Sequence, residues 1–387
     1  MPTMPLLYDM LLALFGQQRQ AWQDVRHLKT FIWMVVGVIE EMKVHLPAWA
    51  PYVRSRATQA ASTVRRFARW LHNPRIQVGP IWAAYMRHVL QDWEGRVYLA
   101  LDTTSLWGEF CWIRVSLCYR GRGIPLAWRV VRHSSVRVGF ALYQAVLQQA
   151  AQAIPDHLEV VLLADRGFCD LALMRFLRDT LHWHWRIRIK NTFLVYKPGR
   201  GWRQVRRFTP PPGHAVYWHH VYLGQERFGP VHLAVARPVD GTAYWYVVSD
   251  EPTGPHTLDE YGLRPQVEEN ILDDKSNGFQ VESSYLQSAA ALERLALVLA
   301  AATLVLVLQG VQVVASGKRR WVDPHWTRGE SYLKIGRKYL MRVLYHGGEV
   351  LRRLLLPPGD DPEPAQASRH RTRRKPHELI TSCEYVY

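Results

Sequence analysis

Two aspartates and four spaced polar residues carry the chemistry this sequence can do. Asp102 ends the apolar run Val97-Tyr98-Leu99-Ala100-Leu101, and Asp165 ends the run from Leu158 to Ala164. The first run is continuously apolar and reads as a strand buried on both faces; the second, apolar but for Glu159, reads as a strand as well, so each aspartate stands at the carboxyl end of an apolar strand. If those strands are parallel neighbours, the two carboxylates lie within a few ångströms of each other. Their repulsion then makes the site costly unless a cation neutralises it. Oxygen ligands of this kind suit Mg²⁺ or Mn²⁺. Taken singly, each aspartate also fits a plainer role as a cap at a strand-to-loop junction.

Tyr261, Arg264, Glu268 and Lys275 supply the third element. At about 100° per residue they fall within one arc of roughly 60° on a helix. Such a helix presents a phenol, two cations and a carboxylate on one face. The carboxylate can complete a metal site while the cations hold phosphate oxygens. Glu269, its neighbour, points about 100° away from that face. Thr257 and Glu260 have capping-box spacing, which starts the helix before Tyr261 and leaves Pro265 inside it as a kink. The alternative is a helix that begins at Pro265 as its first residue. Asp170, Asp273 and Asp274 read as solvated or capping residues.

The elements that must position these groups follow from periodicity. Residues 1–90 read as a helical, basic, DNA-binding domain with helices near Trp22–His45 and Arg56–Leu71. The second helix carries Arg65, Arg66 and Arg69, either as a solvated face or as a DNA contact. Residues 91–190 read as the first part of a catalytic core: three strands, a helix at Phe140–Ala153, a strand into Asp165, a helix at Leu171–Leu181 and a strand at Trp185–Lys190. The second strand alternates, with Arg114 and Ser116 on its polar side, and is expected to be half-buried. Residues 191–254 are β-rich and divided by turn signals. Residues 255–315 form the second part of the core, with the glutamate-bearing helix and a long apolar helix from about Ser288 to Val314. Residues 316–387 read as a basic C-terminal region with a helix near Ser331–Leu355 and a disordered tail over Gly359–Pro376.

Composition sets the class of partner. The 387-residue chain has a formal charge of +16 with 48% hydrophobic residues, enough for a sizeable core and a strong attraction for polyanions. Its four cysteines show no CxxC pair, which argues against a structural zinc site or a disulfide framework and for a reducing compartment. The apolar run Leu295–Leu308, with Thr303 its one polar residue, is shorter than the roughly 20 residues of a membrane span and reads as a buried core helix; the N-terminal apolar run has no basic leader and is not read as a signal peptide. The expected protein is soluble, cytoplasmic and without membrane association.

The blocks LALDTT at Asp102, LLADRGF around Asp165 and YGLRPQVEENILDDKSNGF from Tyr261 resemble the IS4 family of bacterial transposases. That family's signature, Y-(2)-R-(3)-E-(6)-K, is matched here at every spacing. QVESSYLQ, the apolar helix after it and RGESYLKIG from Arg328 are similar to the family's later blocks, so the likeness spans roughly residues 55 to 345. The resemblance implies an RNase H-like mixed sheet flanked by helices, with a β-rich insertion between the second aspartate and the glutamate. It implies that Asp102, Asp165 and Glu268 hold two Mg²⁺ (or Mn²⁺) ions, and that Arg264 and Lys275 contact DNA phosphates with Tyr261 alongside. Arg166, in the second block, joins the expected DNA contacts. It further implies cleavage at terminal inverted repeats, joining of the 3′-hydroxyls to target DNA, and a homodimer on DNA in the bacterial nucleoid. Tyr261 is then no nucleophile, because two-metal hydrolysis needs no covalent intermediate. Some relatives stack a flipped base on tryptophan; Trp202, Trp218 and Trp245 fit that role or ordinary packing. The rival readings are an RNase H-like nuclease without strand transfer and a domesticated, non-catalytic DNA-binding protein.

Overall fold

The computed structural model describes residues 5–55, 58–239, 244–365 and 380–387. Its first part is helical: α1 (Leu6–Gly16), α2 (Val25–Glu41), α3 (Leu46–Trp49), α4 (Ala60–Leu71) and α5 (Val78–Val89). The helix expected at Trp22–His45 is shorter at both ends. Asp24 caps its start by accepting the Arg26 N–H, and Met42 ends it in the left-handed conformation. The expected start of the next helix, Arg56, lies outside the described residues.

From Arg96 the chain builds a mixed sheet. β1 (Arg96–Leu106), β2 (Phe110–Tyr119) and β3 (Arg122–Arg132) form a meander, followed by α6 (Phe140–Ala153) and β4 (Glu159–Ala164). α7 (Leu171–Phe176) widens into a further turn through Leu181 before β5 (His184–Arg188). β1 pairs with β4 in parallel, and β4 with β5 likewise. The β-rich segment contributes β6 (Leu194–Lys197), β7 (Gly201–Gln204), β8 (His214–Leu223), β9 (Phe228–Arg237) and β10 (Trp245–Ser249). It does not form a sheet of its own. β10 pairs antiparallel with β5, so one sheet runs β3-β2-β1-β4-β5-β10-β9-β8-β6-β7. An unforeseen strand near the C-terminus, β11 (Ser382–Val386), adds to β8 in parallel.

The helices that complete the fold are α8 (Pro255–Tyr261), α9 (Pro265–Leu272), α10 (Ala289–Ala315) and α11 (Tyr332–His346). Alternation along the buried strands feeds two cores. Leu99, Leu101 and Leu162 join the large cluster that includes α6 and α10, while Ala100, Val161 and Leu163 meet Val267 and Ile271 of α9 on the other face. The fold is thus mixed α/β, a large mixed sheet flanked by helices. α10 is 27 residues long, well beyond the apolar run counted in the sequence. By length and composition it could cross a membrane, yet 89% of its most apolar window is buried in the protein. α11 crosses it at two glycines: a Cβ on Gly310 would lie 2.0 Å from the Tyr332 carbonyl oxygen, and one on Gly336 1.8 Å from that of Leu306.

The expected tail needs correction at its start. Asp361 accepts hydrogen bonds from Arg328 and Tyr332, each at 2.5 Å, so residues 359–365 are tied to the body. Residues 366–376 of that segment lie outside the described residues.

Candidate active site

The β1–β4 register pairs Leu101 with Ala164, which sets Asp102 and Asp165 side by side at the carboxyl ends of adjacent parallel strands. Each spends one oxygen locally. Asp102 Oδ1 accepts the Thr103 N–H at 2.9 Å, and Asp165 Oδ1 accepts the Gly167 N–H at 2.7 Å. The capping role therefore holds for Asp165, but only for one of its oxygens. The other oxygen of each aspartate faces Arg264: Nη2 lies 3.2 Å from Asp102 Oδ2 and 4.0 Å from Asp165 Oδ2. Arg264 Nη1 donates to Glu268. One guanidinium thus gathers three carboxylates contributed by β1, the turn after β4, and α9.

The electrostatics follow from burial. Burial pushes the Asp102 carboxyl up to about 6 despite Arg264 and the Thr103 N–H, with Glu268 and Asp165 adding repulsion. For Arg264, burial works against its charge, but Asp102, Glu268, Tyr261 and Asp165 more than offset this and raise its pKa. The donor set is three carboxylates, one of them buried and repelled by the others. That set fits a hard divalent cation.

The four-residue signature is spread over the end of α8, the turn before α9, α9 itself and the wide turn after it, rather than along one helix. Pro265 is the first residue of α9, as in the second sequence reading, and Arg264 precedes it. The expected Thr257–Glu260 capping box does not form. Thr257 occupies the third position of α8, and its hydroxyl accepts the Gly254 N–H. Glu260 instead accepts from Tyr98 and from Arg186. Tyr261, at the end of α8, is 5% exposed and packs edge-on against Trp245, with ring centroids 5.6 Å apart. Burial pushes its phenol up to about 12. Arg264 and Glu268 therefore reach the aspartates, whereas Tyr261 is buried away from the cleft. Lys275 lies beside β1, where its Nζ donates to the Ser105 carbonyl at 2.6 Å and stands 3.7 Å from Glu282. Glu269 turns toward β3 and pairs with Arg122 at 2.9 Å, leaving Glu268 as the carboxylate on the cleft side.

What holds α9 in place was not legible. Asp170 does cap α7, accepting the Ala172 N–H. Asp273 and Asp274, expected to be solvated or capping, are 4% and 1% exposed. Asp274 pairs with Arg114 of β2 at 2.5 Å, and Asp273 with Arg122 of β3 at 3.3 Å. Arg114 also donates to Asn270 and lies over the Trp112 ring. The polar side of β2 is therefore buried under α9 rather than solvated. Burial raises the pKa of both aspartates, Asp273 to about 6, against the pull of these arginines. α9 can sit this close because β3 offers Gly123, whose added Cβ would stand 3.1 Å from the Gln266 carbonyl oxygen and from Val267 Cα.

Around the carboxylates opens a cleft of about 830 Å³, lined also by Arg137, Arg166, Arg188 and Lys190 and by Tyr244 and Tyr246. Arg166, expected there, is exposed in it; the other three cations were not singled out. Arg188 ends β5 and Lys190 follows it, at the same edge that carries the aspartates, and that placement is the signal that points to them. Trp202, Trp218 and Trp245 do not line this cleft. Arg65 and Arg69 are exposed on α4 and Arg66 is half-buried, its guanidinium near the Phe67 ring; none of the three lines the cleft. A second group with metal-ligand character, Glu159, His184 and Glu251, lies at the opposite end of β4 and β5. Its carboxylates are occupied by Arg96 and Arg186, each pair at 2.6 Å, which marks it as an ion-pair network.

Strand-end aspartates, a helix-borne glutamate and a basic cleft thus stand together at one edge of the sheet. Residues 109–305 match the model of the transposase DDE domain, a span that includes Asp165 and Glu268 and begins just after Asp102. The chain belongs to this family of transposases. Among solved structures it is similar to a piggyBac transposase synaptic complex with hairpin DNA, determined by cryo-EM, at 11% identity and a TM-score of 0.40. That likeness covers 88% of this chain and 76% of the other. No curated protein matches.

Proposed function

We propose that this transposase cleaves the ends of its element by divalent-cation-dependent phosphodiester hydrolysis and joins the freed 3′-hydroxyls to target DNA. The convergence of Asp102, Asp165 and Glu268 on one guanidinium inside a cation-lined cleft carries this reading. In it the core is RNase H-like and the chain is a transposase of the IS4 type, acting on DNA as a homodimer in the bacterial nucleoid. The N-terminal helices, with Arg65 and Arg69 exposed on α4, serve as an added DNA-binding part.

The three carboxylates would hold two Mg²⁺ or Mn²⁺ ions, which supply an activated water or 3′-hydroxyl and stabilise the leaving oxygen. The protein's own groups do the rest. Arg264 gives up carboxylate contacts to meet a phosphate oxygen, and Arg137, Arg166, Arg188 and Lys190 hold the backbone on the facing wall. Lys275 fixes the end of β1 through Ser105, which keeps Asp102 in register with Asp165.

The test uses a plasmid carrying the gene with its flanking DNA. Wild-type protein with Mg²⁺ is expected to cut at the element's ends and to give strand-transfer products. Asp102→Ala, Asp165→Ala and Glu268→Ala are each expected to bind the ends without cutting. A single variant that cuts like wild type would sink the assignment, and cutting without any transfer would reduce the function to that of a nuclease.

A further inference from the structure

We infer that the loop between α10 and α11 is a second DNA-binding surface, separate from the cleft, that grips the sugar–phosphate backbone of a duplex. This rests on the transposase reading and adds a site to it.

The loop exposes two tryptophans: Trp321 is 57% and Trp326 82% accessible. Each indole is attended by cations. The Arg320 guanidinium lies 4.7 Å from the Trp326 ring centroid, and Arg342 of α11 and Lys318 lie 5.2 and 5.7 Å from that of Trp321. Lys318 is paired with Glu349, but Arg320 and Arg342 have no ion pair among the described residues. Tyr345, one turn along α11 from Arg342, is 85% exposed.

The loop is built to hold this display. Arg319, 6% exposed, donates to the carbonyls of His325 and Trp326 at 2.9 Å each, and pairs with Asp323 and Glu363. Asp323, fully buried, accepts the backbone N–H groups of His325 and Gly329. Two buried charges thus fix the backbone that carries an indole out into solvent. A loop with only a connecting role has no use for that arrangement, since an exposed tryptophan gains nothing from burial. Planar indoles flanked by unpaired guanidinium groups suit a sugar–phosphate edge, where cations meet phosphates and the rings pack on deoxyribose.

Register sets the loop apart from the cleft. Asp102 pairs with Arg114, and Arg114 with Trp128, so all three lie in one row across the sheet. Trp128 Nε1 donates to the carbonyl of Glu293, the fifth residue of α10. From Glu293 to the end of α10 at Ala315 the helix covers roughly 33 Å at 1.5 Å per residue.

The experiment uses the full chain, a fluorescent duplex of about three turns carrying one element end, and two variants, Arg320→Glu/Arg342→Glu and Trp321→Ala/Trp326→Ala. Both are expected to bind the duplex about 10-fold more weakly, and the charge variant to lower the salt slope by about 2, one step for each phosphate that the protein no longer neutralises. Hydroxyl-radical footprints should lose protection on backbone outside the stretch that the cleft itself covers. Unfolding curves, and cleavage at saturating DNA, should stay as in wild type. Unchanged DNA affinity, salt slope and footprint would overturn the inference, as would an effect confined to self-association of the protein. Loss of cleavage in the triad variants with an intact remote footprint supports this surface, while triad variants that still cut refute only the catalytic assignment.

Discussion

Replacing Asp102 with asparagine should stabilise this protein in the absence of divalent cations, and the gain should depend on pH. Burial, with Glu268 and Asp165 close by, holds the Asp102 carboxyl near 6 against an ordinary 3.8. At about 1.4 kcal/mol per decade that difference makes the ionised form cost roughly 3 kcal/mol. The folded state binds this proton more tightly than the unfolded chain between those two values. Stability of the wild type therefore falls as pH rises through that window and stays lowered above it. Asparagine keeps the shape and never ionises. Its advantage should be near zero at about pH 4 and approach about 3 kcal/mol at about pH 8. Urea unfolding in a chelator, followed by circular dichroism across that range, measures it. Added Mg²⁺ should narrow the gap by neutralising the wild-type carboxylates. A variant no more stable than wild type at the alkaline end, or a gain that ignores pH, would refute the reasoning.

Three further outcomes follow from the same geometry. Asp274→Ala strands Arg114 without its carboxylate in the interior and should cost about 3–5 kcal/mol in urea unfolding, whereas Arg114→Met/Asp274→Leu should recover most of it. A single-variant loss below about 1 kcal/mol would contradict the mooring of α9. Arg264→Gln removes the cation that competes for the three carboxylates, so calorimetry on DNA-free protein should find Mn²⁺ bound about 10-fold more tightly while DNA cleavage drops; equal or weaker Mn²⁺ binding would count against it. Glu269→Ala removes only a partly exposed pair with Arg122, should cost less than about 1 kcal/mol and should leave cleavage intact. Loss of cleavage as complete as in Glu268→Ala would show that the wrong glutamate had been assigned.

Much of the fold was legible because the buried strands announce themselves. An apolar run ending in aspartate has few readings, and the order of strands and helices fits the parallel β1–β4 pairing that the structure shows. The bounds of α6 and the joint span of α7 and its wide turn are those read from the pattern. What escaped depends on partners far along the chain. Asp274 reads as a solvated residue until Arg114, on the alternating face of β2, is known to lie beneath it. β11 is a five-residue strand whose place is given only by β8. The start of α9 stayed open because a local capping box and a proline at the first helical position compete on equal terms; Glu260's bonds to Tyr98 and Arg186 decide it. Lys275 shares the angular face of Arg264, yet the break before Pro265 and the wide turn after Leu272 carry it to the end of β1. The link least visible in sequence is the pairing of cleft and carboxylates, since Arg137, Arg188 and Lys190 belong to no spaced motif.

The central claim is that Asp102, Asp165 and Glu268 form the divalent-cation site, and iron-directed cleavage of the polypeptide tests it most directly. Fe²⁺ in place of Mg²⁺, with ascorbate and peroxide, cuts the chain beside the bound ion, and the fragments report which segments surround it. The account predicts cuts next to residues 102, 165 and 268, enhanced by end DNA and abolished in Asp165→Ala. Cuts clustered instead at Glu159, His184 and Glu251, or cuts that persist in Asp165→Ala, would contradict it.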